Sequence, residues 1–134
     1  MRKNGFSILE LMVVIVIIGI IAALAVVRMG DPIERGRSKN AEFNLLAIYA
    51  AEKRYFLSEG QYYNSTASLD KVYDINQNLS IRIDDPYFDY SITGSKDWYR
   101  AVATRKLDSL KCKNVNMSLT SDNSTVDKRG CSVW

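Results

Sequence analysis

FSILELMVVIVIIGIIAALAVV, residues 6–27, is the most apolar stretch of the sequence. Within it, residues 11–27 contain no charged side chain, no Pro and no Asn or Gln. A helix that crosses a bilayer needs about 20 mainly apolar residues, and this stretch reaches that length with Glu10 as its one charged interruption. The sequence therefore predicts a membrane-spanning helix close to the N-terminus.

The residues around this stretch predict its orientation. Arg2 and Lys3 precede it, and cationic side chains favour the cytoplasmic side of a membrane. The N-terminus is then expected inside and the chain after Arg28 outside. The alternative is a cleaved secretory signal, because small residues that imitate a cleavage site are present at positions 22, 23 and 25. Such a signal has a shorter apolar core of about 7 to 15 residues, so a membrane-spanning helix is the better interpretation.

Composition excludes several function classes. The 134 residues suit one globular body, with 47% apolar and 25% charged residues. The chain has no histidine and two cysteines, which excludes histidine catalysis, histidine metal ligation and a four-cysteine zinc site. An enzyme would then need a carboxylate pair or a Ser/Lys arrangement, and no spacing in the sequence singles one out. We expect a protein that is not an enzyme and that has no cofactor.

A short motif links the basic N-terminus to the apolar stretch. Gly5 is followed directly by Phe6, Glu10 lies four residues further on, and the apolar stretch contains Gly19. With these residues the sequence resembles the type IV pilin family, which includes the pseudopilins of type II secretion. The resemblance implies that a prepilin peptidase cleaves between Gly5 and Phe6 and methylates the new amine of Phe6. It is strong over residues 1–30 and diffuse beyond them.

Glu10 and Gly19 are candidate assembly residues. A carboxylate deep in a bilayer costs about 2.5–3.5 kcal/mol, so Glu10 needs a cation or the membrane interface. Pairing with the amine of Phe6 on a neighbouring copy would set the register of a filament, because a misaligned copy leaves a buried charge unpaired. The alternative is that Glu10 reaches the cytoplasmic interface. In filaments of this family the segment around Gly19 is often melted, and plain helix packing is the alternative.

The resemblance also implies a location and partners. The chain would be a structural subunit, held in the inner membrane with its N-terminus cytoplasmic and then extracted into an extracellular helical filament of identical copies. Besides the prepilin peptidase, it would meet an assembly platform with a cytoplasmic ATPase and an outer-membrane secretin. A type II secretion pseudopilin, a minor pilin and, from another class, a single-pass anchored enzyme or sensor remain as alternatives.

A second helix is predicted beyond the apolar stretch. From residue 38 to 57 a helical period places on one face Ala41, Leu45, Ile48, Tyr49, Glu52, Tyr55 and Phe56. We expect an α+β fold in which a long N-terminal helix, membrane-spanning in its first half and amphipathic in its second, packs on a C-terminal antiparallel β-sheet. The predicted segments are a leader at 1–5, the assembly helix at 6–30 and a globular head at 31–134, with its helix at 31–58, a loop at 59–78, the sheet at 79–120 and a disulfide-closed tail at 112–131.

The sheet is predicted from short segments that alternate apolar with polar residues. These segments are 79–83, 88–92, 98–104 and 115–119. With one face on the helix, the first two would contribute the core residues Leu79, Ile81, Ile83, Phe88, Tyr90 and Ile92. The loop before the sheet is rich in polar residues and Tyr, which suits a subunit-specific surface.

Cys112 and Cys131 predict a disulfide, because they lie 19 residues apart in a segment expected outside the cytoplasm. The polar region between them is expected to be loose without that bond. Calcium binding to Asp108, Asp122 and Asp127 lacks a compact ligand pattern, so no metal site is assigned. The basic residues Arg100, Arg105, Lys106, Lys111 and Lys113 make a nucleic acid a possible partner, although a solvated strand end explains them more simply.

Overall fold

The computed structural model describes residues 7–26, 30–106 and 112–131. Within them the elements are, in chain order, the helices α1 (Ile8–Val26), α2 (Gly30–Glu59) and α3 (Lys71–Asn78) and the strands β1 (Phe88–Gly94), β2 (Tyr99–Arg105), β3 (Cys112–Thr120) and β4 (Asn123–Cys131). The chain divides after Glu34 into two units. The first holds α1 and the start of α2, and the second, called the head below, holds the remainder. The predicted α+β class is confirmed.

Helix α2 follows the predicted apolar stripe. Its first turn carries Asp31, an acidic residue that suits the positive end of the helix dipole, and Pro32, whose missing N–H costs nothing in a first turn. At the other end Gly60 adopts a left-handed φ of 71° and donates its N–H to the Phe56 carbonyl at 2.9 Å, which stops the helix. Ala41, Leu45, Ile48, Ala51 and Glu52 are buried along one face. The amphipathic prediction for residues 38–57 is thus confirmed.

The sheet is an antiparallel meander in the order β1, β2, β3, β4. Its buried residues align across the strands, as in the rows Tyr90–Ala103–Met117 and Ile92–Ala101–Leu119. These rows form one hydrophobic cluster with the buried face of α2. One face of the sheet therefore supplies the core, which is why its strands alternate apolar with polar residues.

Residues 79–83 do not form the predicted strand. The N–H of Leu79 bonds to the Ile75 carbonyl at 3.0 Å, and that of Ile81 bonds to the Asn76 carbonyl at 3.2 Å. The Asn76 side-chain amide accepts from Ile83 N–H at 2.8 Å and donates to the Ile83 carbonyl at 2.9 Å. The groups that a sheet ladder would need are used locally. Leu79 and Ile83 are nevertheless buried, and Ile81 is partly buried against the core, so these residues join it as irregular backbone.

Two further elements differ from the sequence expectation. The loop expected over 59–78 contains α3, which Asp70 caps by accepting the Tyr73 N–H at 3.0 Å. The disulfide-closed tail expected at 112–131 contains a strand that was not predicted, β4, which pairs with β3 at the sheet edge. Alternation fails to reveal β4 because none of its residues is buried; its order comes from backbone pairing, which leaves no apolar pattern in the sequence. The predicted boundary at residues 30 and 31 adjoins residues 27–29, which lie outside the described part.

Candidate functional site

Helix α1 exposes apolar side chains on every side. Its large aliphatic residues between Ile8 and Leu24 are each 46% to 82% exposed. At 1.5 Å per residue its 19 residues span about 28 Å, close to the ~30 Å of a bilayer's hydrocarbon core. Among the described residues, it is the one helix long and apolar enough to cross a membrane. The helix thus presents an apolar surface to its surroundings along its whole length.

Ser7 caps the start of α1 and gives Glu10 a local context. The Ser7 Oγ accepts the Leu9 N–H at 3.3 Å, and the Ser7 carbonyl accepts the N–H of Glu10 and Leu11 at 3.0 and 3.1 Å. Glu10 lies three residues after this cap, where an acidic side chain interacts favourably with the helix dipole and suits a capping box. Its side chain is exposed. It can therefore support the helix start and still meet a partner outside the chain.

Gly19 has no steric reason within the described chain to be glycine. A methyl group built at this position meets no atom within 4 Å. Glycine in a helix interior costs about 1 kcal/mol relative to Ala, so its presence points to a requirement outside the isolated helix. Gly19 also lies nine residues after Glu10, two and a half helical turns, on the opposite face of α1. The two predicted assembly residues share a helix but not a single site.

The predicted cleavage residues, Gly5 and Phe6, lie outside the described residues. Their roles therefore remain predictions from the motif. The described chain begins one residue later, with the cap at Ser7.

A disulfide joins Cys112 and Cys131. Cys112 opens β3, Cys131 closes β4, and the two are cross-strand partners with Cα atoms 4.2 Å apart. Gly130 precedes Cys131 with φ of 90°, a conformation that glycine adopts without strain. Cross-linking across 19 residues contributes about 3 kcal/mol in the chain-entropy view. The bond thus fastens the open end of the β3–β4 hairpin.

Asp85 is the polar centre of the head. Its Oδ1 accepts the backbone N–H of Tyr87 and Phe88 at 2.9 and 3.2 Å. Its Oδ2 accepts the Tyr90 hydroxyl at 2.7 Å and the Asn40 and Asn44 side-chain amides at 3.3 and 3.4 Å. No role is predicted for Asp85 from the sequence, although Asp before Pro is typical of turn initiation. This carboxylate ties α2 to the entry of β1.

An ion pair network ties α2 to the edge strand. Glu42 Oε2 lies 2.7 Å from Lys128 Nζ on β4 and 2.9 Å from Lys39 Nζ on its own helix. The bond to Lys128, followed by the bond to Lys39, lowers the pKa of Glu42. The pair is partly exposed, so its contribution to stability is small.

The basic residues considered for nucleic acid contact are engaged within the head. Arg100 bonds to the Ser118 hydroxyl at 3.3 Å. Lys106 bonds to the Asp85 carbonyl at 3.1 Å and pairs with Asp89 at 3.3 Å. Arg105 is engaged as well. Lys111 and the side chain of Lys113 lie outside the described part. Within the described residues no cluster of acidic or Cys side chains could hold a metal ion.

The chain is similar to several known proteins. The family model described as a prokaryotic N-terminal methylation motif matches residues 1–26. The chain is 39% identical over 61 residues to the type IV major pilin protein PilA of Myxococcus xanthus, covering 46% of this chain and 28% of that protein. It is 36% identical over 69 residues to the type II secretion system core protein G of Aeromonas hydrophila, covering 52% and 48%. It is 27% identical over 133 residues to a fimbrial protein of Pseudomonas aeruginosa, covering 98% and 83%.

The chain thus combines a matched methylation motif, an apolar helix long enough to cross a membrane, and a helix-and-sheet head. The methylation motif and these relatives support the type IV pilin family. The matches to the first two relatives span less than half of those proteins' lengths.

Proposed function

We propose that this protein is the structural subunit of a type IV pilus, cleaved after Gly5 and assembled through its apolar helix into an extracellular filament. The observation that carries the proposal is the continuity of the methylation motif, matched over residues 1–26, with α1. A helix that is apolar on all sides is stable in lipid, and it is also stable when it packs against the same helix of other copies of the chain. One helix can therefore serve first as an anchor and then as the filament interior.

Glu10 provides register in this proposal. After cleavage Phe6 carries a free amine, and the nearest cation available to Glu10 in a self-assembling helix is the Phe6 amine of another copy. A buried pair contributes little net stability but penalises misalignment, because the misaligned copy leaves a charge unpaired in a low dielectric. Gly19, which no contact in the described chain requires, is available for close approach of helices or for local melting during assembly.

The proposal includes the partners that such a subunit needs. A prepilin peptidase would process the leader in the inner membrane, and an assembly platform with a cytoplasmic ATPase would supply the work of extraction. The filament would leave through an outer-membrane secretin. Contact with nucleic acid is not proposed, because the described basic side chains on β2 are engaged by neighbours within the head.

A type II secretion pseudopilin is the second candidate. It is favoured by the 36% identity to core protein G of a type II secretion system. Such a subunit would build a short periplasmic filament in place of a surface pilus. The Cys112–Cys131 disulfide does not separate the two candidates, because the periplasm and the cell exterior are both oxidising.

Mass spectrometry of two fractions tests the proposal. The protein is recovered from sheared surface filaments and separately from inner membrane, and its N-terminal peptide is sequenced. We expect a methylated Phe6 as the first residue of the sheared material. The same N-terminus confined to the cell envelope would favour the pseudopilin, and Met1 in every fraction would overturn both.

Gly5→Leu tests the cleavage site directly. The branched side chain at the cleaved bond should block processing, so the variant should keep its leader and form no filaments. Asn4→Leu introduces the same side chain one residue earlier and serves as the control, with processing expected at Phe6. A Phe6 start in the Gly5→Leu variant would contradict the assignment.

A further inference from the structure

Glu52 is a fully buried carboxyl group in the head. It lies on the core face of α2 with no exposed surface. Its Oε2 accepts the backbone N–H of Tyr63 at 3.0 Å. Its Oε1 is buried and has no hydrogen-bond partner among the described residues. A charged carboxylate with one donor in a dry environment is costly, which makes the protonation state of Glu52 significant for this part of the fold.

Tyrosines, not cations, surround this carboxyl. Tyr63 and, from β2, Tyr99 interact electrostatically with Glu52 itself. The next layer comprises Tyr49 and Tyr62 beside Tyr99, and Tyr55 and Asp74 beside Tyr63. Lys53, the adjacent residue on α2, donates to the Ser121 carbonyl at 3.3 Å and lies over the Tyr49 ring. Burial raises the pKa of Glu52 to about 7, and the Tyr63 N–H opposes that rise only in part.

Tyr63, whose N–H bonds to Glu52, belongs to a short segment, residues 61–66, called the clasp below. On its other side the clasp lies along β1: Tyr62 N–H bonds to the Ser95 carbonyl at 3.1 Å, and Ser65 N–H bonds to the Ile92 carbonyl at 2.9 Å. Its backbone passes so close to Gly94 that a Cβ there would collide with the Tyr63 carbonyl oxygen. The clasp therefore joins α2 to the sheet edge, with Glu52 as its hydrogen bond to the helix.

We propose that the clasp is a pH-sensitive latch: neutral Glu52 holds residues 61–66 on α2, and ionised Glu52 favours their release. Opening the clasp would let water reach the carboxylate, which removes the cost of its buried charge. The direction of this pH dependence follows from the raised pKa of Glu52, because the closed state of the clasp binds the proton more tightly than the open state. Closure is therefore most favourable below pH 4.5, and it weakens as the pH rises through about 7.

The biological role of the latch rests on the proposed function, whereas the latch itself does not. The head of an exported subunit meets the pH of the periplasm and of the medium. Clasp opening would change the surface of the head beside β1, and it would also withdraw Tyr62 and Tyr63 from their packing against the hydrophobic cluster. Acid would then tighten this surface, and mild alkali would loosen it.

Amide hydrogen exchange on the full-length chain in detergent micelles tests the latch. Protection factors for Tyr63 and Ser65, corrected for the intrinsic effect of pH, are compared at pH 5.5 and 8.5. The pKa values of 4.5 for the open state and about 7 for the closed state imply about a 30-fold loss of protection at the higher pH. Glu52→Gln, which is neutral at both pH values, should show little change.

Glu42→Gln is the matched control, because it removes a carboxylate from the same helix that is partly exposed and paired with lysines. It should keep the wild-type pH dependence at Tyr63. Equal protection of the wild type at both pH values, or the same loss in Glu52→Gln, would overturn the latch.

A direct titration keeps the test decisive if Glu52→Gln fails to fold. The carboxyl carbon of Glu52 in the wild-type chain is followed by NMR, with a midpoint expected near 7. A midpoint near 4.5 would overturn the proposal. Neither readout depends on cleavage at Gly5 or on filaments, so failure of the latch and failure of the pilus assignment are distinguishable.

Discussion

Helix α1 and the head use the same kinds of apolar side chain in opposite ways. In α1 the large aliphatic residues from Ile8 to Leu24 are at least 46% exposed, whereas Leu45, Ile48 and Ile92 in the head are completely buried. The difference arises from pattern: α1 is apolar around its whole circumference, while α2 is apolar on one face and has a sheet to cover it. The head thus buries its own apolar residues, whereas α1 leaves its apolar side chains exposed in the described structure.

Two glutamates make the same contrast on a smaller scale. Glu10 lies in an apolar helix yet is exposed, and its position three residues after the Ser7 cap favours the helix start. Glu52 lies on a helix with an exposed polar face yet is buried, and one of its oxygens has no partner among the described residues. The surroundings of each carboxyl, not the average polarity of its helix, set what it can do.

The largest expected effect is on assembly through α1. Glu10→Val should insert in the membrane and leave the head folded, but filament yield should fall at least tenfold beside wild type, because register is lost. Filaments are quantified after shearing, and Glu59→Val on the exposed end of α2 serves as the control. Glu10→Gln separates helix capping from charge pairing, since it keeps a capping side chain but no charge. A normal filament yield from that variant would contradict the role of the Glu10 charge in register.

The next largest effect concerns the polar centre of the head. Asp85→Ala removes the acceptor of five hydrogen bonds, and within the described residues only the Asn44 amide keeps another acceptor, the Tyr90 hydroxyl; the free energy of unfolding should fall by about 3 kcal/mol or more. Urea unfolding of the full chain in micelles, followed by aromatic fluorescence, measures the change. Asp89→Ala removes an exposed carboxylate on β1 and should change stability by less than about 1 kcal/mol. Equal effects from both variants would contradict the assigned role of Asp85.

The disulfide tests how far the head depends on a covalent bond. Cys112→Ser combined with Cys131→Ser should lower the free energy of unfolding by about 3 kcal/mol, mainly by freeing the unfolded chain. Reduction of the wild type provides an independent comparison and should give a similar loss in urea unfolding. Unchanged stability in both experiments would mean that the β3–β4 pairing alone orders the tail.

The smallest expected effect compares one glycine from each region. Gly94→Ala should cost about 1–3 kcal/mol in urea unfolding, because its methyl group collides with the clasp at Tyr63. In Gly19→Ala the added methyl group meets no atom, and Ala favours a helix over Gly by about 1 kcal/mol. The helical content of the isolated chain in micelles, measured by circular dichroism, should therefore stay the same or rise slightly. A loss of helix in Gly19→Ala would show that the single chain itself requires glycine at position 19.

Sequence pattern locates the elements whose side chains alternate between core and solvent. The strands at residues 88–94 and 99–105 and the buried face of α2 follow from such periods. Alternation predicts the wrong structure at residues 79–83. The apolar alternation is present there, but the Asn76 side chain bonds to backbone groups that a strand would need for its ladder. Alternation also fails at β4, whose order comes from backbone pairing and which carries no buried residue.

The candidate site divides in the same manner. The cleavage motif at Gly5 and Phe6, the apolar helix with Glu10, and the Cys112–Cys131 pair are local or compositional features, and they can be found by inspection of the sequence. The role of Asp85 cannot, because its donors come from positions 40 to 90. The burial of Glu52 follows from its period, but its contact with Tyr63 requires the path of the clasp.

By itself the sequence determined that this chain has an apolar helix, an N-terminal methylation motif and an amphipathic helix followed by a sheet, because unbroken hydrophobicity and periodicity are properties of the chain read in order. Tertiary structure decided which carboxyl groups are buried, which strand forms the sheet edge and where the clasp lies on β1. The reason is that desolvation and hydrogen-bond pairing depend on groups far apart in sequence, and only the folded head brings those groups together.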